Sequence, residues 1–371
     1  MRVLLVQGTS AGGVGRHVAA LARGLFAAGH DVVVAAPASA REALAIDGSG
    51  ASFEPVEIGD HPRGRQEAAA VRRLRRLARG CDVVHAHGLR AGALAGIAVG
   101  PAWRPRGAPL VVTVHNLPVG GAKVQRISAF LERVVTRRSA AVLGVSSDLV
   151  QRMLDRGARH GARALVPAPA SPPSGPVEEV RAAIRAELGV PQGAALVVTI
   201  ARLAPQKGYA TWFDAIGLII RDHPGLSFVV AVAGDGPLHG ELAERARSQR
   251  LPVLLLGHRS DASDLLAAAD VAVCASVWEG QPLVVQEALR CGAPLVATDV
   301  GGTAEVAGDA AVLVPYGDPG ALASAVARLL QDPLERGRRR AAGLARAAGF
   351  PTDSDAVAQV QALYAEVVAG R

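Results

Sequence analysis

Seven residues separate Glu279 from Glu287 in the stretch Cys274 to Leu289, C-A-S-V-W-E-G-Q-P-L-V-V-Q-E-A-L. An apolar run ends there in a polar loop, and a helix begins between the two carboxylates. Such a loop offers unpaired backbone N–H groups and the positive end of a helix dipole to an anion. Carboxylates beside it can accept sugar hydroxyls. Phosphate and sugar together describe a nucleotide sugar. Upstream, A-R-L-A-P-Q-K-G places Arg202 and Lys207 on one loop after a strand-like run. Two cations there can neutralise a diphosphate; the competing reading is ordinary surface charge.

Other residues fall at similar strand ends. V-V-T-V-H-N-L-P puts His115 just past an apolar run, and D-V-V-H-A-H-G ends another run with His85 and His87. The H-x-H spacing could ligate a metal, but no Cys or carboxylate pattern nearby completes a site. The glycine loop G-T-S-A-G-G-V-G, Gly8 to Gly15, is a near miss to a dinucleotide fingerprint. It reads either as a tight strand-to-helix turn or as a place where a substrate approaches the backbone through Gly12 and Gly13. A-G-D-G-P with Gly234, and L-G-H-R with His258 and Arg259, either shape a base pocket or simply turn the chain. D-S-D, Asp353 to Asp355, has the look of a metal-binding pair, yet it precedes a helix where aspartates cap and suit the dipole.

The elements that must position these residues follow from the pattern of the chain. Val3 to Val6 reads as a buried strand, His17 to Ala28 as a helix and Val32 to Ala35 as a second strand. Further strands are expected at Phe53 to Glu57, Val83 to His85, Leu110 to Val114, Ala141 to Val145 and Ala164 to Val166. Pro167 to Pro176 holds five prolines in ten residues and suits a linker. After a helix at Val177 to Leu188, strands recur near Leu196 to Ile200, Phe228 to Ala233, Val253 to Leu256, Val271 to Cys274, Pro294 to Ala297 and Ala311 to Val314. Alternating strands and helices imply α/β architecture with doubly wound parallel sheets. The expected domains are 1–166, a linker 167–180, 181–350, and a C-terminal helix within 351–371.

Composition bounds the rest. A chain of 371 residues, 50% hydrophobic, suits two α/β cores. Three cysteines without C-x-x-C spacing suggest a reduced, cytoplasmic protein. Ala91 to Trp103 is too short and too interrupted to cross a bilayer, which needs about 20 residues. The charge is uneven: residues 1–166 hold 23 Lys and Arg against 11 Asp and Glu, the remainder 17 against 22. Much of the excess lies between Arg63 and Arg79, with more at Lys123, Arg126, Arg133, Arg137 and Arg138. That surface is either a solvated arginine face or one that meets anionic lipid from the inner side of a membrane. Nucleic acid is disfavoured, because no aromatic platform interleaves the arginines.

These motifs resemble those of the retaining glycosyltransferases of family 4. The likeness covers almost the whole chain: G-G-V-G-R-H-V, T-V-H-N, A-R-L-A-P-Q-K-G, A-G-D-G-P, L-L-A-A-A-D-V-A-V-C-A-S, E-G-Q-P-L-V-V-Q-E-A and G-A-P-L-V-A-T-D-V-G-G-T-A-E. The E-x7-E pair with an upstream R-x4-K is the specific part. The resemblance implies a GT-B fold, two Rossmann-like domains facing across a cleft. It also implies that Arg202 and Lys207 hold the donor diphosphate, and that Glu287 accepts the ribose hydroxyls from the first turn of a helix. Glu279 would contact the transferred sugar. The backbone of Gly280, Gln281 and Leu283 would bind sugar and phosphate, with Pro282 supplying no N–H. His115 would lie near the reacting carbon, and Gly12 and Gly13 would approach the phosphates. Two departures stand out: Ala201 where the family often has Gly, and V-P-A-P-A-S where its linker often reads P-N-G.

The implied activity is transfer of a sugar from a UDP- or GDP-sugar to a hydroxyl of a lipid-linked, glycan or small-molecule acceptor, with retained configuration and no metal or other cofactor. The alternatives are a non-catalytic nucleotide-sugar-binding paralogue and a nicotinamide-dependent oxidoreductase. The intact Arg202, Lys207, Glu279 and Glu287 count against the first. The glycine spacing and the lack of an acid near position 35 count against the second.

Overall fold

The structure, a computed structural model, describes residues 1–9, 12–46, 48–59, 64–100, 107–117, 121–169 and 171–370. Ser10 and Ala11 of the glycine loop, Arg63, the end of the Ala91 to Trp103 stretch and Ala170 of the proline segment lie outside them. Contacts divide the chain into two compact units, Met1–Pro167 with Pro351–Arg371, and Ala168–Phe350.

The first unit is built on β1 (Arg2–Gln7), β2 (Asp31–Ala36), β3 (Ser52–Pro55), β4 (Val83–His87), β5 (Leu110–Val114), β6 (Ala141–Gly144) and β7 (Gly161–Arg163). Its helices are α1 (Gly13–Ala27), α2 (Gly64–Leu77), α3 (Leu89–Val99), α4 (Ala122–Arg138) and α5 (Ser147–Asp155). All pairings are parallel, in the order β3-β2-β1-β4-β5-β6-β7. Val3, Leu4, Leu5 and Val6 are all fully buried, as a strand covered on both faces requires.

Several boundaries differ from the sequence expectation, β4 running to His87 rather than His85 and β3 ending at Pro55 rather than Glu57 among them, and two have a clear cause. Helix α1 starts at Gly13 rather than His17, because Gly12 accepts from Arg16 N and closes the first turn despite the poor helix propensity of glycine. The strand expected at Ala164 to Val166 is formed by Gly161–Arg163 instead. Ala164 and Val166 are buried just beyond it, so their apolar character marks the core without marking the ladder.

The second unit holds β8 (Ala195–Ile200), β9 (Phe228–Ala233), β10 (Val253–Gly257), β11 (Val271–Cys274), β12 (Leu295–Thr298) and β13 (Ala311–Val314), all parallel in the order β10-β9-β8-β11-β12-β13. Its helices are α6 (Val177–Glu187), α7 (Tyr209–Asp222), α8 (His239–Ser248), α9 (Ala262–Ala268), α10 (Leu283–Arg290), α11 (Thr303–Ala307), α12 (Pro319–Gln331) and α13 (Pro333–Ala348). Successive residues of β8 feed opposite cores, as the two-residue repeat of a strand dictates. Val197 packs with Trp212, Phe213 and Ile216 of α7 and Val326 of α12. Leu196 and Val198 pack with Val180, Ile184, Leu265 and Val285 from α6, α9 and α10.

The proline segment is bonded along this second unit. Ala168 N donates to Gln286 Oε1 at 3.0 Å, and Ser174 donates to both Asp264 carboxylate oxygens at 2.7 Å. Residues 177–180, expected in the linker, are the first turn of α6.

The last helix, α14 (Asp353–Ala369), belongs to the first unit. It packs on α1 so closely that a Cβ on Gly24 would lie 2.3 Å from Val357 Cγ2. Gln359 treats β7 as a neighbouring strand would: its amide accepts from Leu165 N at 2.9 Å and donates to Arg163 O at 2.8 Å. The D-S-D motif sits at its start, where Thr352 is the N-cap and Asp355 completes a capping box.

Candidate active site

In each sheet the strand order reverses direction once, between β1 and β4 and between β8 and β11. Loops leaving the C-terminal ends of such strand pairs diverge to opposite faces and open a crevice, the usual ligand position in this architecture. The candidate residues follow these strands.

In the second unit, Arg202 lies two residues after β8, and Lys207 ends a short 3-10 turn, Pro205–Lys207. Tyr209 fixes this loop by donating from its buried hydroxyl to Ala201 O at 3.0 Å. Gly208, at φ 67°, lets the turn enter α7 against the next loop: a Cβ there would lie 1.8 Å from Ala275 O. Val277 N donates to Gln206 O at 3.0 Å, joining the loops after β8 and β11. Across that seam Lys207 Nζ stands 2.6 Å from Glu279 Oε1, which also accepts from Ser276 Oγ at 2.6 Å. Arg202 is exposed, and no described residue partners its guanidinium.

Backbone contacts hold Glu279 from the other side. Its carbonyl accepts from Gly302 N at 2.9 Å, and a Cβ on Gly301, whose φ is 51°, would lie 2.0 Å from the same oxygen. Gly280, Gln281 and Pro282 then lead into α10, with Pro282 as its N-cap. The amides of Leu283, Val284 and Val285 therefore sit at the open end of the helix. Gln281 Oε1 is buried there without a protein partner. Glu287 is the fifth residue of α10 and stands in its second turn, not its first, because the helix begins only after Pro282.

The base-pocket candidates divide. Gly234 follows β9, donating its N–H to Gly257 O at 2.7 Å, and exposed His258 follows β10. Arg259 is not an open cation. It bonds Asp261 at 2.8 and 2.6 Å and Glu187 at 2.5 and 3.2 Å, and hydrogen bonds to Asp261 and Glu187 raise its pKa.

In the first unit, Gly12 (φ 90°) and Gly13 stand at the start of α1, and His115 follows β5 directly. His115 joins a cluster of imidazoles that spacing alone did not disclose. Its Nε2 is 3.2 Å from His87 Nδ1, and its ring meets that of His17 edge-on at 5.8 Å. His85 uses both ring nitrogens, with Tyr364 Oη at 2.6 Å and Thr113 Oγ1 at 2.7 Å. Burial, then the charges of neighbouring histidines, holds His115 and His87 well below the ordinary imidazole range. Burial also lowers His17 to about 4 and His85 to about 3. All four are neutral near pH 7, so His115 offers a hydrogen bond and no positive charge.

His87 Nε2 and both amide atoms of Gln7, its register partner, are buried without a protein partner. Unlike these, the three cysteines play no evident part. All are buried and unpaired, and burial pushes Cys274 and Cys291 up to about 11.

Comparison with known proteins decides the family. Residues 12–169 match the family described as "Glycosyl transferase 4-like domain" and residues 194–332 match "Glycosyl transferases group 1". An alpha-maltose-1-phosphate synthase of Mycobacterium tuberculosis is 31% identical over 273 residues, 64% of this chain and 68% of that protein. The chain belongs to the group 1 glycosyltransferases. A glycogen synthase of Mycobacterium tuberculosis is 29% identical, over 97% of this chain and 94% of that protein. Among solved structures, Anabaena Alr3699/HepE in complex with UDP and glucose superposes with a TM-score of 0.80 at 20% identity, covering 99% of this chain and 100% of that one. The two parallel-sheet units are thus the Rossmann-like pair of a GT-B glycosyltransferase.

Within this glycosyltransferase, sequence reasoning missed three supports of Glu279: Ser276, Gly301 and Gly302. Ser276, three positions upstream, lies inside the stretch already singled out. The two glycines follow a different strand, and only the folded chain brings them to Glu279.

Proposed function

We propose that this glycosyltransferase transfers a sugar from a nucleoside-diphosphate sugar to an acceptor hydroxyl with retained configuration and without a metal ion. The observation that carries the reading is the seam between the loops after β8 and β11, where Lys207 and Glu279 pair, with Arg202 on the same loop as Lys207 and without a partner among the described residues. The two cations take up the negative charge that grows on the departing diphosphate. Such preorganised groups act most strongly where the charge develops, and removing one typically costs about 2.7–4 kcal/mol. Glu279 accepts hydroxyls of the transferred sugar, Glu287 those of the ribose, and the start of α10 faces the phosphates. With no carboxylate placed as a nucleophile in this reading, the acceptor attacks the face the diphosphate leaves, and a departing phosphate oxygen takes its proton. Neutral His115 serves the acceptor side through hydrogen bonding.

Turnover tests the reading. UDP-sugars are the first donors to try, since UDP and glucose are what the Anabaena protein binds. Slow donor hydrolysis in the wild type, lost in Glu279→Ala and unaffected by EDTA, is the expected result. NMR of the product should show the donor's anomeric configuration. Inverted product or EDTA-sensitive turnover would overturn the mechanism. UDP- and GDP-sugar binding without turnover would leave a binding protein.

A further inference from the structure

Helix α4 turns a basic and apolar face to solvent. Its inner side is settled: Ser128, Glu132, Val135 and Thr136 are buried, and Glu132, 1% exposed, bonds Arg152 at 2.7 Å and lies 3.3 Å from Arg156 of the α5 region. The opposite side carries Phe130 at 64% exposure and Ile127 at 38%, three residues apart. Lys123, Arg126, Arg133 and Arg137 alternate with them, all exposed and none paired with a described residue. The only acid of the helix is the buried Glu132.

A helix of 3.6 residues per turn brings these positions onto one outward arc, with Phe130 near its middle. Clustered exposed apolar side chains need an apolar partner, and the surrounding cations need an anionic one. We propose that α4 docks this glycosyltransferase on an anionic phospholipid surface, with Ile127 and Phe130 entering the headgroup boundary and Lys123, Arg126, Arg133 and Arg137 meeting lipid phosphates. A bilayer supplies both chemistries in one plane, which is what an interfacial amphipathic helix requires. An acidic protein surface would satisfy the cations and leave Phe130 against water.

The arginine-rich α2 is less suited. Arg73 pairs with Glu54, Arg75 donates to Ala98 O at 3.3 Å, and no large apolar side chain of α2 is exposed among the described residues. Position also favours α4, whose first residue follows His115 by only seven positions. A lipid-borne acceptor docked there would arrive beside the histidine cluster; this last point rests on the transfer reading, whereas the docking does not.

Vesicle binding without donor or acceptor tests the inference. The full chain should co-sediment with vesicles of equal parts phosphatidylglycerol and phosphatidylcholine, not with phosphatidylcholine alone, and roughly tenfold less at high salt. Ile127→Ser with Phe130→Ser should reduce binding about tenfold or more at an unchanged melting temperature. Arg65→Ser with Arg72→Ser and Arg76→Ser in α2 should reduce it far less. In Phe130→Trp, the new indole should shift its emission to the blue on adding the anionic vesicles. Undiminished binding of the double variant, no blue shift, or binding lost through the α2 changes would each overturn the proposal. None of these results depends on turnover, so failure here leaves the transfer reading standing.

Discussion

Lys207 Nζ and Glu279 Oε1 lie 2.6 Å apart, although one is assigned to the donor's diphosphate and the other to its sugar. The contact neutralises both charges within the seam between the two loops. With the side chains only 25% and 13% exposed, the pair is largely withdrawn from solvent, and the desolvation of both charges offsets much of their attraction. Its value is positional, since it joins the loops after β8 and β11 at these two side chains.

Lys207→Ala should lower kcat/KM at least tenfold while the fold survives, with a lower melting temperature because Glu279 loses its cation and keeps Ser276. Steady-state kinetics with thermal denaturation check this. Near-normal turnover would remove Lys207 from the reaction.

Arg202 gives a cleaner separation of function from stability. Its guanidinium is exposed and meets no described partner, so Arg202→Ala should alter stability by no more than about 0.5 kcal/mol. Calorimetric titration with UDP or GDP should nonetheless show about tenfold or greater loss of affinity. Equal affinity would mean that the diphosphate lies elsewhere.

The buried histidines set a pH dependence. Their folded pKa values lie below the unfolded value near 6.5, so the unfolded chain binds more protons once the pH falls below that value. Stability is full above pH 6.5 and declines as the pH falls toward about 4, where His17 titrates, and about 3, where His85 does. The melting temperature should fall across this interval, and His17→Gln should flatten part of the slope. An unchanged slope would show that His17 is already protonated in the fold.

Gly301→Ala should impair the reaction without touching a charged group. A Cβ there would meet the Glu279 carbonyl at 2.0 Å on a backbone with φ 51°. The expected cost is on the order of 1–2 kcal/mol in stability for the left-handed conformation alone, with reduced turnover as Glu279 shifts. Denaturant melts and kinetics on the same preparation check both halves. Unimpaired turnover would show that Glu279 tolerates displacement.

The architecture and the loops that bring Lys207 to Glu279 were largely legible in the sequence because their signals are local. Strand runs such as Val271 to Cys274 are continuous and apolar, and Arg202, Lys207, Glu279 and Glu287 sit in short motifs at their ends. What escaped was non-local. His17, His87 and His115 meet only because β1, β4 and β5 adjoin, and of the two carboxylates that occupy Arg259 one, Glu187, lies 72 residues away in sequence. The basic surface was read from arginine density alone. Exposure moves the emphasis from α2 to α4, where charge and apolar area coincide.

The return of α14 to the first unit has a consequence for biosynthesis. The seven strands of the first sheet all precede Pro167, yet the helix that supplies Tyr364 to His85 and Gln359 to the edge of β7 begins 186 positions after it. At about 5–20 residues per second, that interval lasts on the order of 10–40 s. During it the nascent sheet lacks Gln359 along β7 and His85 lacks its phenol, while the strands of the second unit are still being made. The half of the molecule made first is the half completed last, and the period of greatest exposure to misassociation falls between those two events.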